Sequence, residues 1–70
     1  MNEDEALAVS ELTPRLGKVA RSVLTLNGYT RYVQLTAITP AELLRLHGVG
    51  PKAIRILQEE LAARRLAFSR

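Results

Sequence analysis

Residues 39–57, TPAELLRLHGVGPKAIRIL, restrict the possible folds of this chain more than any other stretch. Thr39 is a residue type that caps helix N-termini. It is followed by a proline suited to the first helical position and by Glu42 at the third. The helix this starts runs through Leu46 and turns Leu43, Leu44 and Leu46 inward. His47-Gly48-Val49-Gly50 then breaks the period. Two glycines around one hydrophobe let the backbone turn sharply, part of it at positive φ, with no Cβ in the way. Val49 points into the core from between them. Pro51 opens a last helix with Ala53, Ile54, Ile56, Leu57 and Leu61 on one buried stripe, and Arg64 and Arg65 complement the negative end of its dipole. Two short apolar-faced helices joined by a glycine turn require a helical partner surface for their stripes.

The chain before Thr39 supplies it. Thr13-Pro14 repeats the cap-then-proline device, and Leu16, Val19, Ala20, Val23 and Leu24 follow the spacing of one helical stripe. The spacing predicts a helix from Pro14 to Leu26, ended by Asn27-Gly28, although Gly17 inside it costs ~1 kcal/mol relative to Ala. Thr30 caps a short second helix over Arg31 to Leu35, with Tyr32, Val33 and Leu35 partly inward. Tyr29 and Tyr32 cover the core edge with their hydroxyls in water. Phe68 packs back on the core after Leu66, Glu59 and Glu60 are solvated, and Glu60 pairs with Arg64 at i+4. His47 caps the carbonyl end of the helix before it. No segment alternates with period two long enough to form a strand. The expectation is an all-α compact bundle of four or five short helices over residues 13–70, preceded by an arm at 1–12 that is a frayed helix or disordered.

Charge divides the chain at the same place. Residues 1–12 hold four acids and no base, whereas residues 13–70 hold ten bases and three acids, which gives −4 and +7. The absence of cysteine and a single His leave no ligand set for a structural zinc and no disulfide. The apolar runs are far short of the roughly 20 residues that span a bilayer, and no signal peptide opens the chain. A cytoplasmic setting is expected. Between Thr13 and Gln58 the only carboxylate is Glu42 and the only imidazole is His47. Acid/base and nucleophile/base pairs need two converging groups, so the sequence reads as non-enzymatic, with no cofactor.

The glycine turn and its neighbours carry a binding chemistry instead. Backbone N–H groups at a helix start form an anion site, and bare glycine backbone lets a phosphate approach. Lys52 and Arg55 lie near the start of the last helix, where the dipole disfavours cations by a few tenths of a kcal/mol each. A bound phosphate reverses that sign. Arg45 flanks the same turn. On the first helix Arg15, Lys18, Ser22 and Thr25 read as one polar face with Arg21 at its edge, a second row of phosphate contacts.

Leu43 to Leu57 resembles a helix-hairpin-helix motif, whose turn amides and following Lys grip the sugar-phosphate backbone without reading bases. The patterns ELT, LNGYTRYVQLTAITPAELLRLHGVGPK and LAARRLAF extend the resemblance to about Glu11 to Phe68. Together they are similar to the C-terminal domain of the bacterial RNA polymerase alpha subunit, a SAM-domain-like helical fold, and its small stand-alone relatives. The resemblance implies that the hairpin and the first helix face DNA, with Gly48, Gly50 and Lys52 at the hairpin contact positions. Val19 stands where that family carries its minor-groove Arg, Ser22 near its Asn, and Arg65 where it has a Gly before the final Leu-x-Phe. The large assembly domain of an alpha subunit is not in these residues, so the likeness is to a stand-alone relative.

The sequence therefore predicts a double-stranded DNA-binding protein, a monomer or weak dimer with little sequence preference. It would hold phosphates with the Gly48, Val49 and Gly50 amides, Lys52 and Arg55, assisted by Arg15, Lys18 and Arg21. The competing expectation is a protein–protein adaptor of the same fold that docks on a transcription or repair protein through its basic surface or the Tyr29/Tyr32 edge. The acidic arm is expected to compete with DNA, so that removing Met1 to Ser10 tightens binding.

Overall fold

The computed structural model describes residues 10–70. Most of the acidic arm, and the competition expected of it, therefore lies outside the described residues. Among those described there are three α-helices and two 3-10 segments and no strand. A 3-10 turn at Pro14–Leu16 leads into α1 (Lys18–Leu26), then a 3-10 helix at Tyr32–Ala37, α2 (Pro40–Leu44) and α3 (Pro51–Ala63). No helix among these residues is long and apolar enough to cross a membrane.

Thr13 caps as expected, its hydroxyl oxygen accepting from the Arg15 N–H at 3.2 Å. The single helix expected over Pro14 to Leu26 is nevertheless two elements. Gly17 sits at φ 85, ψ 159 and steps out of the helical region. Its N–H closes the first turn on the Pro14 carbonyl at 3.0 Å, while its own carbonyl accepts from Arg21 N at 3.1 Å to start α1. Arg15 and Leu16 therefore do not continue the helical face of the residues that follow.

The end of α1 is where Asn27-Gly28 placed it. Gly28 adopts φ 91. The Tyr29 N–H donates to the Leu24 carbonyl at 2.8 Å and the Gly28 N–H to Thr25 at 3.0 Å, the paired bonds of a Schellman cap. The end of α3 repeats this geometry without glycine: Leu66 N–H donates to Leu61 at 2.8 Å and Arg65 N–H to Ala62 at 3.0 Å. Arg65 accordingly sits at φ 60, the one non-glycine positive φ among the described residues.

Thr30 is not the cap of the second short helix. The Gln34 side chain takes that role, its Oε1 accepting from the Thr30 and Arg31 amides at 2.8 Å each. Thr30 instead offers its carbonyl to the Glu11 N–H at 2.8 Å. Glu11 Oε1 accepts from Tyr32 N at 2.9 Å, and Leu12 is 1% exposed, so residues 11 and 12 pack as part of the same body.

The core is a cluster centred on Leu24, Leu35, Leu43, Leu57 and Leu61, all fully buried. The stripe read for the last helix is buried as expected, from Ala53 to Leu61, and Leu66 and Phe68 pack against the cluster. Two expectations fail on short elements. α2 has five residues and ends at Leu44, not Leu46, so Leu43 reaches the core and Leu44, turned away by about 100°, is exposed. Val33 is exposed for the same reason on the 3-10 helix. Tyr32 departs the other way. It is a core residue, 1% exposed, and its hydroxyl oxygen accepts from the Thr13 N–H at 2.8 Å instead of facing water.

Candidate nucleic-acid interface

Residues 45–50 connect α2 to α3, and Gly48 fixes how this turn lies. Its φ is 96, and a Cβ built on it would come within 3.0 Å of Val19 Cγ1 and 3.1 Å of Val23 Cγ2. Gly48 thus suits the turn by its left-handed backbone, and a Cβ there would make the Val19 and Val23 side chains give by a few tenths of an ångström. Neither holds at Gly50. It is extended at φ −109, ψ −179, with open space around its Cα, so the part of the turn expected at positive φ is Gly48. Val49 is 5% exposed and anchors the turn in the core.

That burial changes the expected set of phosphate donors. The Val49 N–H donates to the Leu46 carbonyl at 3.1 Å and faces away from solvent. The turn amides without a backbone partner among the described residues are those of His47, Gly48 and Gly50. α3 then begins with Gly50 as its N-cap, no side-chain cap bond and no acid in its first turn. Lys52 and Arg55 are exposed there, Arg45 is exposed at the start of the turn, and none of the three has an ion-pair partner among the described residues.

The first-helix row does not form one exposed face. Ser22 and Thr25 are buried at 8% and 6%, and the Thr25 hydroxyl donates to the Arg21 carbonyl at 2.8 Å. Arg21 turns back on the chain before α1, its Nε donating to the Leu12 carbonyl at 2.6 Å and an Nη to Ser10 at 3.2 Å. Arg15 lies before the Gly17 break and bridges to α3, 2.8 Å from Glu59 and 3.4 Å from Glu60. The Glu59 hydrogen bond makes the Arg15 guanidinium harder still to deprotonate. Glu60 also bonds Arg64, as expected, and Arg64 lies 4.0 Å over the Tyr32 ring. Glu59 and Glu60 are therefore engaged, not merely solvated. Only Lys18 of the row stays uncommitted and exposed, at the first position of α1, whose N-cap Gly17 makes no side-chain bond.

Val19, read as a buried stripe residue, is 64% exposed and forms with Val23 the seat of the Gly48 turn. Nothing in the residue spacing marks that seat, because it exists only across two elements. His47 is exposed, and its side chain makes no hydrogen bond among the described residues, so the expected cap on α2 is not made. The structure seats Gly48 on Val19 and Val23 of α1, leaves Lys18, Lys52 and Arg55 exposed, and draws Arg15, Arg21 and Val49 into internal contacts. Searches of protein-family models, curated proteins and solved structures give no match to this chain.

Proposed function

We propose that this chain is a small, non-enzymatic protein that binds double-stranded DNA through its phosphate backbone, with little sequence specificity. The α2–turn–α3 unit would serve as a helix-hairpin-helix element. The observation that carries this reading is the contact of Gly48 with Val19 and Val23. It seats the turn that precedes the uncapped start of α3, which bears Lys52 and Arg55, on the first half of α1, whose first residue is Lys18. Two helix N-termini with cations and no acid in their first turns are electrostatically unfavourable alone and favourable around phosphate. The four described acids Glu11, Glu42, Glu59 and Glu60 all make side-chain bonds within the fold, and none forms an ion pair with Lys18, Arg45, Lys52 or Arg55 among the described residues. The sequence resemblance to the C-terminal domain of the polymerase alpha chain supports the same reading and a transcription-associated role.

In this proposal the contacts are the Gly48 and Gly50 amides, Lys52, Arg55, Arg45 and Lys18. Arg15 and Arg21 stabilise the fold and leave DNA to the others. Backbone chemical-shift mapping with a short duplex tests the assignment. Changes centred on residues 48–55 and Lys18 are expected; changes centred on Arg15, Arg21 or the chain after α3 would refute it.

A further inference from the structure

The opposite end of α3 carries a second surface. Gln58, Leu61 and Ala62 of α3, Pro40 at the start of α2, and Leu66 and Phe68 of the chain that follows line an open cleft of about 410 Å³. That size suits one or two bulky apolar side chains. From Lys52 to Ala62 the helix rises roughly 15 Å, so the cleft and the glycine turn are separate sites.

Three observations define what the cleft would hold. Its polar lining residues, Gln58 and Ser69, are uncharged, and no carboxylate lines it. Glu59 and Glu60 of α3 are paired with Arg15 and Arg64. Arg65 and Arg70 flank the lining segment on either side, both exposed and without an ion pair among the described residues. Arg65 occupies the left-handed position of the α3 cap, where glycine would sit unstrained. Beyond Leu66 the segment makes one backbone bond, Ser69 N–H to the Ile38 carbonyl at 3.0 Å. The Ala67 and Phe68 amides have no partner among the described residues and border the cleft.

We propose that this cleft docks a short acidic peptide segment of a partner protein, with a leucine-sized side chain between Ala62 and Phe68 and its carboxylates on Arg65 and Arg70. The open Ala67 and Phe68 amides would pair with the peptide backbone. The site does not depend on the DNA reading and makes the chain two-sided.

The test is an NMR titration of the ¹⁵N-labelled protein with the peptide acetyl-Asp-Glu-Leu-Leu-Asp-Glu-amide, beside a control with both leucines replaced by glycine. The proposal expects saturable shifts at Ala62, Leu66, Ala67 and Phe68, with Gly48 and Lys52 unmoved and the control at least tenfold weaker. Ala62→Glu, an exposed helical site that tolerates the change, should abolish the shifts. Arg65→Gly should weaken binding about threefold, the size of a rim charge contact. Shifts centred on residues 48–55, equal binding of the control, or no saturation by about 1 mM peptide would overturn it.

Discussion

The residues on the N-terminal side of the core and those around the glycine turn carry the same charge type and use it in opposite ways. On the first side Arg15 bridges two glutamates of α3, Arg21 donates to the Leu12 and Ser10 carbonyls, and Arg64 stacks on Tyr32. Around the turn, Lys18, Arg45, Lys52 and Arg55 make no ion pair among the described residues. The difference teaches that a basic residue in a small domain has to be placed before it is counted toward a ligand. A guanidinium already bonded to carbonyl oxygens would have to break those bonds to reach a phosphate, whereas an unpartnered ammonium beside open amides need only exchange water.

The joint between the two regions gives the largest predicted effect. Gly48→Ala adds a Cβ at positive φ and at 3.0 Å from Val19. It should cost about 2 kcal/mol in urea denaturation, most of it the left-handed penalty, with a smaller loss as the Val19 and Val23 side chains give way. Gly50→Ala, extended and with open space, should stay within about 0.5 kcal/mol. Equal losses at the two glycines would break the claim that the turn is pressed onto α1.

Tyr32 sharpens the structural side of the comparison. Its hydroxyl is the acceptor for Thr13 N–H, so Tyr32→Phe leaves that amide without its acceptor and should cost about 1 kcal/mol at neutral pH. Burial, opposed in part by that hydrogen bond, raises its phenol above the ordinary value of about 10. A folded-state value raised above the unfolded one stabilises fully below pH ~10 and is lost as pH climbs through the folded value. The native protein should therefore lose stability in alkali by a step that Tyr32→Phe lacks, measured as urea midpoints between pH 8 and 11 or so. An identical alkaline loss in both would contradict the buried hydroxyl.

Arg65 is a cation away from the turn that pairs with no acid among the described residues, and it sits at φ 60. Arg65→Gly should raise stability by about 1 kcal/mol by relieving the left-handed backbone while leaving DNA affinity nearly unchanged. Destabilisation by this change would show that the arginine side chain contributes packing at the end of α3.

Local chemistry was legible from the residues alone, and its failures are tertiary. The Thr13-Pro14 and Thr39-Pro40 starts, the Asn27-Gly28 stop and the Ala53 to Leu61 stripe all stand because each is decided within one or two turns of helix. The Gly17 break separates Arg15 from the row that follows it, and Ser22 and Thr25 share a helix face with Lys18 yet are buried, because the rest of the fold packs over that part of the face. The roles of Arg15, Arg21 and Tyr32 depend on partners 9 to 45 positions away, which no spacing rule reaches. At the candidate site Gly48, Lys52 and Arg55 were readable from turn and helix-start chemistry. The inward N–H of Val49 and the valine seat on α1 were not.

The most direct test of the central claim is the salt dependence of duplex binding in the native protein and in two sets of charge variants. The native protein should bind in the range of roughly 10⁻⁴ to 10⁻⁶ M near physiological salt, with a log–log slope steepened by ~0.9 for each phosphate neutralised. Lys18→Gln, Lys52→Gln and Arg55→Gln should each flatten that slope by up to ~0.9, and Lys52→Glu should weaken binding most. Arg15→Gln and Arg21→Gln should lower stability and leave the slope unchanged. Binding that ignores salt, or a slope that falls with Arg15 and Arg21 and not with Lys52, would contradict the account.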